Sequence, residues 1–324
     1  MTNVLVTGGT GFIGSNLVLE LVKRGYNVRV FDNNFRGKLD NLESVKEKVE
    51  FVEGDIRNLN DVKRAVSGME VVYHLAFING TEYFYKLPEL VLEVGVKGQI
   101  NMIDAISDES TVKTFIYASS SEVYQNATEI PTTESIMCVV PDVTNPRYSY
   151  GGGKLMGELL TLHYLKRDDL KKVIFRPHNI YGGAMGFEHV VPQLAKKIFD
   201  ATEGFTNNSA EITIQGNGSE TRAFCYVSDA VDGIILTAEK GEDGNVYHVG
   251  KEEEISILDL IKRISEYYNI DLKINTGELQ AGSTPRRCPD VSKLKELGYV
   301  PTVTLTEGLK ETLSWYKNYY LNNK

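Results

Sequence analysis

The stretch TGGTGFIG, Thr7 to Gly14, sits between a short apolar run, NVLVT (3–7), and a segment in which Leu17, Leu19, Leu21 and Val22 recur at roughly helical spacing up to Gly25. A strand that stops at a glycine turn and re-enters as a helix gives Gly8-x-x-Gly11-x-x-Gly14 its meaning. Glycine there permits the tight turn, lets a pyrophosphate approach the backbone and packs helix on strand, while the helix N-terminus offers unpaired N–H groups to an anion. The next strand, NVRVFD, ends on Asp32. A carboxylate at that point accepts from both ribose hydroxyls and repels a 2′-phosphate, which favours NAD over NADP. Arg36 and Lys38, close by, are the opposing signal. Asp55 and Ile56, after the third strand, are placed to bracket an adenine.

The alternation continues outward from this turn. VEFVEGD (49–55), EVVYHLA (70–76), KTFIYASS (113–120) and KVIFRP (172–177) each read as a buried strand, with helical segments between most of them. This predicts an α/β fold, a doubly wound parallel sheet of Rossmann type with ligands at the carboxyl ends of its strands. Beyond Tyr181 the pattern becomes irregular, with a helix near 188–200, strands near 211–215 and 246–249, and helices near 257–268 and 305–320. We expect a cofactor domain over 1–180, joined by 222–240, and a smaller substrate lobe over 181–324, with ligands in the cleft between them.

Composition narrows the class. The 324 residues are 42% hydrophobic and 24% charged, the balance of a globular chain rather than a disordered one. A net charge of −9 offers no basic face to nucleic acid, so an anionic ligand needs locally placed arginines. Cys138, Cys225 and Cys288 lack metal-site spacing and read as reduced thiols in a cytoplasm, and no metal is expected. No apolar run approaches the ~18 residues of a membrane span, so no membrane partner is expected either.

The chemistry points to YSYGGGK, Tyr148 to Lys154. Tyr150 and Lys154 share one face of the helix that continues KLMGELLTLHYL, whereas Tyr148 lies on another. A phenol with an ordinary pKa of about 10 is a poor base at neutral pH, but an ammonium held beside it stabilises the phenolate. Lys154 is therefore expected to lower the Tyr150 pKa. Glycines at 151, 152 and 153 cost roughly 2–3 kcal/mol in a helix relative to alanine, so close packing is expected to exclude side chains there.

Taken in order, TGGTGFIG, GDIRN, HLA, SSSEVY, YGGGK, RPHNIYG, GNGSETRAFCYVSD and PRRCPD resemble the extended short-chain dehydrogenase/reductases of the nucleotide-sugar epimerase/dehydratase group. The resemblance covers most of the chain. It implies an enzyme with NAD as cofactor, a nucleotide-diphosphate sugar as partner and a homodimeric assembly. It further implies Tyr150 as catalytic base, Lys154 on the nicotinamide ribose, Ser120 aligning a sugar hydroxyl, and Asn179, Arg222 and Arg287 facing the nucleotide diphosphate. By the same resemblance Phe12, Ile13, Asn33, Leu75, Ala76 and Pro177 are expected to join the glycines, Asp32, Asp55 and Ile56 in lining the cofactor. Two positions depart from the group. Gly153 stands where relatives commonly have a serine, and Gly95 where the group has an asparagine that supports the catalytic helix and its proton path.

Enzymes of this group commonly begin by oxidising the sugar at C4 and differ in the chemistry of the next step. The trio Ser120-Ser121-Glu122 is where the branches separate. The 4,6-dehydratases carry Asp-Glu at 121 and 122 as acid and base for removing water; this chain keeps Glu122 but has Ser121. Uronate decarboxylases are similar in SEVY and in NPRYSY. The main expectation is an epimerase, with Ser121 and Glu122 acting beside Ser120. Decarboxylation, 4,6-dehydration and net C4 oxidation are the alternatives. A non-catalytic NAD sensor, from a different class, tends to lose the tyrosine or lysine, and both are present here.

Overall fold

The computed structural model describes residues 1–278 and 284–323. Its first strand, β1 (Asn3–Thr7), sends Val4 and Val6 to one core and Leu5 to another, as period-two alternation in a sheet covered on both faces requires. Next come α1 (Phe12–Lys23), β2 (Asn27–Asp32), β3 (Val49–Glu53), α2 (Leu59–Val66), β4 (Val71–His74), α3 (Thr81–Lys86), α4 (Pro88–Leu92), α5 (Gly98–Asp108), β5 (Thr114–Ala118), α6 (Tyr148–Leu159) and β6 (Lys171–Pro177). The second half comprises β7 (Ile180–Tyr181), α7 (Val190–Ala201), β8 (Ser209–Ile214), β9 (Thr221–Ala223), β10 (Cys225–Tyr226), α8 (Val227–Lys240), β11 (Asn245–Val249), β12 (Glu254–Ser256), α9 (Ile257–Tyr268), β13 (Asp271–Thr276), β14 (Arg286–Arg287), α10 (Ser292–Glu296) and α11 (Leu305–Asn322).

The main sheet has seven parallel strands in the order β11-β6-β5-β4-β1-β2-β3. Strand order reverses between β1 and β4, which opens a crevice at their carboxyl ends. Leu17, Val18 and Leu21 of α1 and Ile234 and Ile235 of α8 cover one face. Val62 and Ala65 of α2 and Met102 and Ile106 of α5 cover the other. This is the doubly wound Rossmann arrangement that the alternation predicts.

One strand departs from expectation. The 246–249 segment, assigned from the sequence to the smaller lobe, is β11, and it pairs with β6 from Asn245↔Val173 to Val249↔Pro177. The chain leaves the sheet after β6 to build part of the lobe and returns through α8. That excursion breaks the alternation by which the strand would have been recognised.

The lobe has its own core, in which Ile198, Ile212, Leu260, Ile264, Leu309 and Leu313 bring α7, β8, α9 and α11 together. Beside it, β9 lies between β12 and β14, so Arg222 and Arg287 are register neighbours on parallel strands. Thr304 and Glu307 form a reciprocal capping box that fixes the start of α11. The three cysteines are free. Among the described residues, no helix is long and apolar enough to cross a membrane.

Candidate active site

In the turn between β1 and α1, Gly8 and Gly14 stand where no larger residue fits. Gly8 has a φ of +70°, and a Cβ there would lie 2.9 Å from the Ala76 backbone. A Cβ on Gly14 would lie 2.1 Å from the Gly8 carbonyl oxygen. On Gly11 it would meet only that same carbonyl, at 3.2 Å, because this backbone faces an open cleft of about 730 Å³. The Asp32 carboxylate accepts from the Thr10 N–H at 3.0 Å and the Asn34 N–H at 2.8 Å, which fixes it at the rim of the cleft. Asn33 donates to Asp55 at 3.1 Å, and Asp55 is also paired with Arg57 at 2.8 Å. The Arg57 hydrogen bond holds the Asp55 carboxyl below the usual range against the opposing effect of burial. A glycine cradle at a helix N-terminus with a fixed acid at the end of the second strand fits an NAD-type dinucleotide.

The cleft continues past Phe12, Ile13, Ile56, Leu75 and Ala76 to Pro177 and Asn179, the latter at a φ of +42°. At its far end stand Ser120, Ser121 and Glu122, from the turn after β5, with Tyr150 and Lys154 of α6. Tyr150 and Lys154 are 6% and 3% exposed, whereas Tyr148 is half-buried and lies outside the cleft lining. Burial pushes the Tyr150 phenol above its ordinary pKa, a hydrogen bond to Ser120 opposes this, and the Glu122 charge adds to it. Burial also pushes the Lys154 ammonium down to about 7, with Glu158, one turn on, pulling it back.

The expected lowering of the Tyr150 pKa by Lys154 is not what these groups produce. The ammonium donates to the Ala118 carbonyl at 2.6 Å and lies 4.0 Å from the centre of the Phe77 ring, but 5.8 Å from that of Tyr150. A backbone carbonyl and an aromatic face hold the charge, and burial dominates at the phenol.

Glu122 is ion-paired to Arg287. Burial works to raise its pKa, but Arg287, then Arg147 and Arg222, outweigh that and leave it below the usual carboxylate range. Arg287 lines the cleft with the residues named above. Arg222 does not: its guanidinium donates to the Thr221 carbonyl at 2.7 Å, and it acts on Glu122 and Arg287 only through its charge. Burial and the Arg287 charge push Arg222 down to about 10.

Several cleft residues carried no sequence signal. Phe77, Ile78 and Phe84 wall the space around Tyr150, and Trp315 and Tyr319 reach in from α11. Arg36, read as a sign of a 2′-phosphate site, is committed elsewhere. Its guanidinium pairs with Glu188 at 3.1 Å, donates to the Asn79 carbonyl and stacks 4.8 Å from the Tyr83 ring centre. That engagement removes one of the two opposing signals, Lys38 being the other.

Comparison with known proteins bears on the same residues. The model of the NAD dependent epimerase/dehydratase family matches residues 4–250. A UDP-N-acetyl-alpha-D-glucosaminuronate decarboxylase from Bacillus cytotoxicus is 32% identical over 323 residues, covering 97% of each chain. A dTDP-D-glucose 4,6-dehydratase from Bos taurus is 29% identical over 343 residues, covering 99% of this chain and 90% of its own. The solved UDP-glucuronic acid 4-epimerase from Bacillus cereus, in complex with UDP-glucuronic acid and NAD, superposes with a TM-score of 0.87 at 28% identity, covering 98% of this chain and all of the other. The family match takes in the glycine cradle, the Ser120 to Glu122 turn and the Tyr150–Lys154 helix together, so the chain belongs to the NAD dependent epimerase/dehydratase family, as an enzyme whose cofactor is NAD.

Proposed function

We propose that the chain binds a nucleotide-diphosphate sugar whose sugar is a uronic acid, oxidises it at C4 and releases its carboxylate as carbon dioxide. The observation that carries this reading is the Glu122–Arg287 pair in the cleft, with Arg147 and Arg222 close enough to shift Glu122. Arg287 in the cleft, with the charges of Arg147 and Arg222 behind it, suits a ligand that brings a carboxylate as well as a diphosphate to a protein of net charge −9. Ser121 supports it too. Losing water from C6 needs an acid for the leaving hydroxyl, and serine at 121 is a poor one.

When bound, NAD supplies the acceptor for the C4 hydrogen and a positive charge in the cleft. Tyr150 takes the proton from the C4 hydroxyl, its phenolate favoured against burial by the hydrogen bond from Ser120 and by the positive charge that the bound cofactor would bring. Once C4 is a ketone, the carboxylate on C5 leaves as carbon dioxide. Its bonding pair passes into the ketone as an enolate, which the Ser120 and Tyr150 hydroxyls stabilise. Arg287 receives the carboxylate beforehand, and Glu122, released from it, passes to C5 a proton drawn from solvent, which takes the place of the lost carbon dioxide. Reduction at C4 and return of the Tyr150 proton to the C4 oxygen complete the cycle.

A second reading, C4 epimerisation of the same uronate without loss of carbon, is favoured by the likeness to the Bacillus cereus epimerase. Incubating the protein with UDP-glucuronic acid and UDP-N-acetylglucosaminuronic acid separates the two. Loss of carbon dioxide is expected. Unchanged mass with inverted C4 establishes the epimerase, and turnover of UDP-glucose but neither uronate refutes the uronate reading.

A further inference from the structure

The two departures Gly95 and Gly153 are tied together by one side chain. Phe77 comes after β4, and a Cβ on Gly95 would sit 2.2 Å from its Cζ, while one on Gly153 would sit 3.2 Å from the same atom. The first overlap is impossible without moving the ring; the second needs it to give. The ring thus fills the volume into which a side chain at position 95 would extend, between the π-helical turn Glu93–Lys97 and α6. Its face is turned to the Lys154 ammonium at 4.0 Å, and it meets the Tyr150 ring at 5.2 Å and 84°. Phe84 stacks on the other side of Tyr150 at 4.8 Å, and Ile78, Val91 and Val94 complete an apolar box.

We infer that Phe77 is a positioning residue for the Tyr150–Lys154 pair, an inference that rests on that pair being the catalytic one. Its ring stands in for the polar support that the family resemblance implies at position 95. It holds the buried ammonium by a cation–π contact. A desolvated cation gains more from an aromatic face than an exposed one, so the contact favours the charged form of Lys154.

Two measurements test this, neither needing a sugar substrate or turnover, so a wrong uronate reading leaves both intact. The first is a thermal double-mutant cycle on Gly95→Ala and Phe77→Ala. Each single variant melts lower than wild type, and the double variant melts higher than the sum predicts because the truncated ring leaves room for the methyl. The second is the pH dependence of NAD affinity, read from Trp315, the single tryptophan, which lines the cleft. In Phe77→Leu its midpoint moves down by about half a pH unit or more, and in Phe77→Tyr, which keeps an aromatic face, it stays. Additive melting shifts, or a Phe77→Leu profile superimposable on the wild type's, overturn the inference. Tyr150→Phe turnover tests the catalytic pair separately.

Discussion

Glu122 and Arg287, 165 positions apart in the chain, form an ion pair that joins the turn after β5 to the lobe strand β14. The pair is the main reason Glu122 stays ionised despite its surroundings. Arg287→Ala is expected to raise the Glu122 pKa and to weaken uronate affinity about 10- to 100-fold, the range for losing a charged hydrogen bond. NAD affinity, read from Trp315 fluorescence, should change little. An equal loss of both would assign Arg287 to the fold rather than to the ligand.

Glu122 itself separates the reactions. If Glu122 delivers the proton that replaces carbon dioxide at C5, Glu122→Gln oxidises and decarboxylates substrate and then stalls, with NADH accumulating on the enzyme. Full turnover in the variant would leave Glu122 only the task of holding Arg287.

Tyr150→Phe is expected to lower kcat by several orders of magnitude with NAD binding retained, since it removes the one phenol that lines the cleft beside Lys154. Tyr148→Phe should do much less, because that side chain lies outside the lining. Steady-state kinetics of both variants give the ranking, and its reversal would mean that the wrong tyrosine has been assigned.

Lys154 gives the apoprotein a specific pH signature. Its folded pKa of about 7 lies below that of a lysine in the unfolded chain, so above pH 7 the unfolded state binds the extra proton. Stability from this group therefore rises with pH from about 7 to about 10, with a slope of at most about 1.4 kcal/mol per pH unit. Melting scans of wild type against Lys154→Met should diverge in that window, the wild type gaining as pH rises. Parallel curves would mean that the buried amine keeps its ordinary pKa.

Most of the sheet was legible because strands such as β1, β4, β5 and β6 are largely buried and read as apolar runs, and the glycine turn because Gly8 and Gly14 leave no room for a Cβ. Most of the residues named for the site converge on one cleft for the same reason: they sit at the carboxyl ends of strands β1, β2, β4, β5 and β6, where a doubly wound sheet opens. What the sequence did not reveal depends on approaches between distant segments. Phe77 gains its role only where Gly95 and Gly153 come within reach of its ring. Arg36 is occupied by Glu188, 152 positions away. Arg222 donates to the Thr221 carbonyl and lies outside the cleft lining that its register neighbour Arg287 joins. Spacing along a helix likewise put Lys154 near Tyr150 without telling which group its ammonium would face.

The three consecutive glycines of α6 lead to the last prediction, because their surroundings differ. A Cβ on Gly151 would lie 2.9 Å from the Glu122 carbonyl oxygen and 2.7 Å from the Gln125 side-chain nitrogen. The nitrogen can swing away, but the carbonyl belongs to the turn that carries Ser120, Ser121 and Glu122. A Cβ on Gly152 would meet only Val140, at 3.5 Å, an ordinary contact. Gly152→Ala should therefore stabilise the protein by about 0.5–1 kcal/mol through helix propensity alone, raising Tm by about 1–2 °C with activity retained. Gly151→Ala gains the same propensity but must push the Glu122 turn aside, so it should lower kcat even if Tm hardly moves. Calorimetry and kinetics on the two variants give the comparison. A Gly151→Ala enzyme as active as Gly152→Ala would show that the glycine does not set how closely α6 approaches the turn.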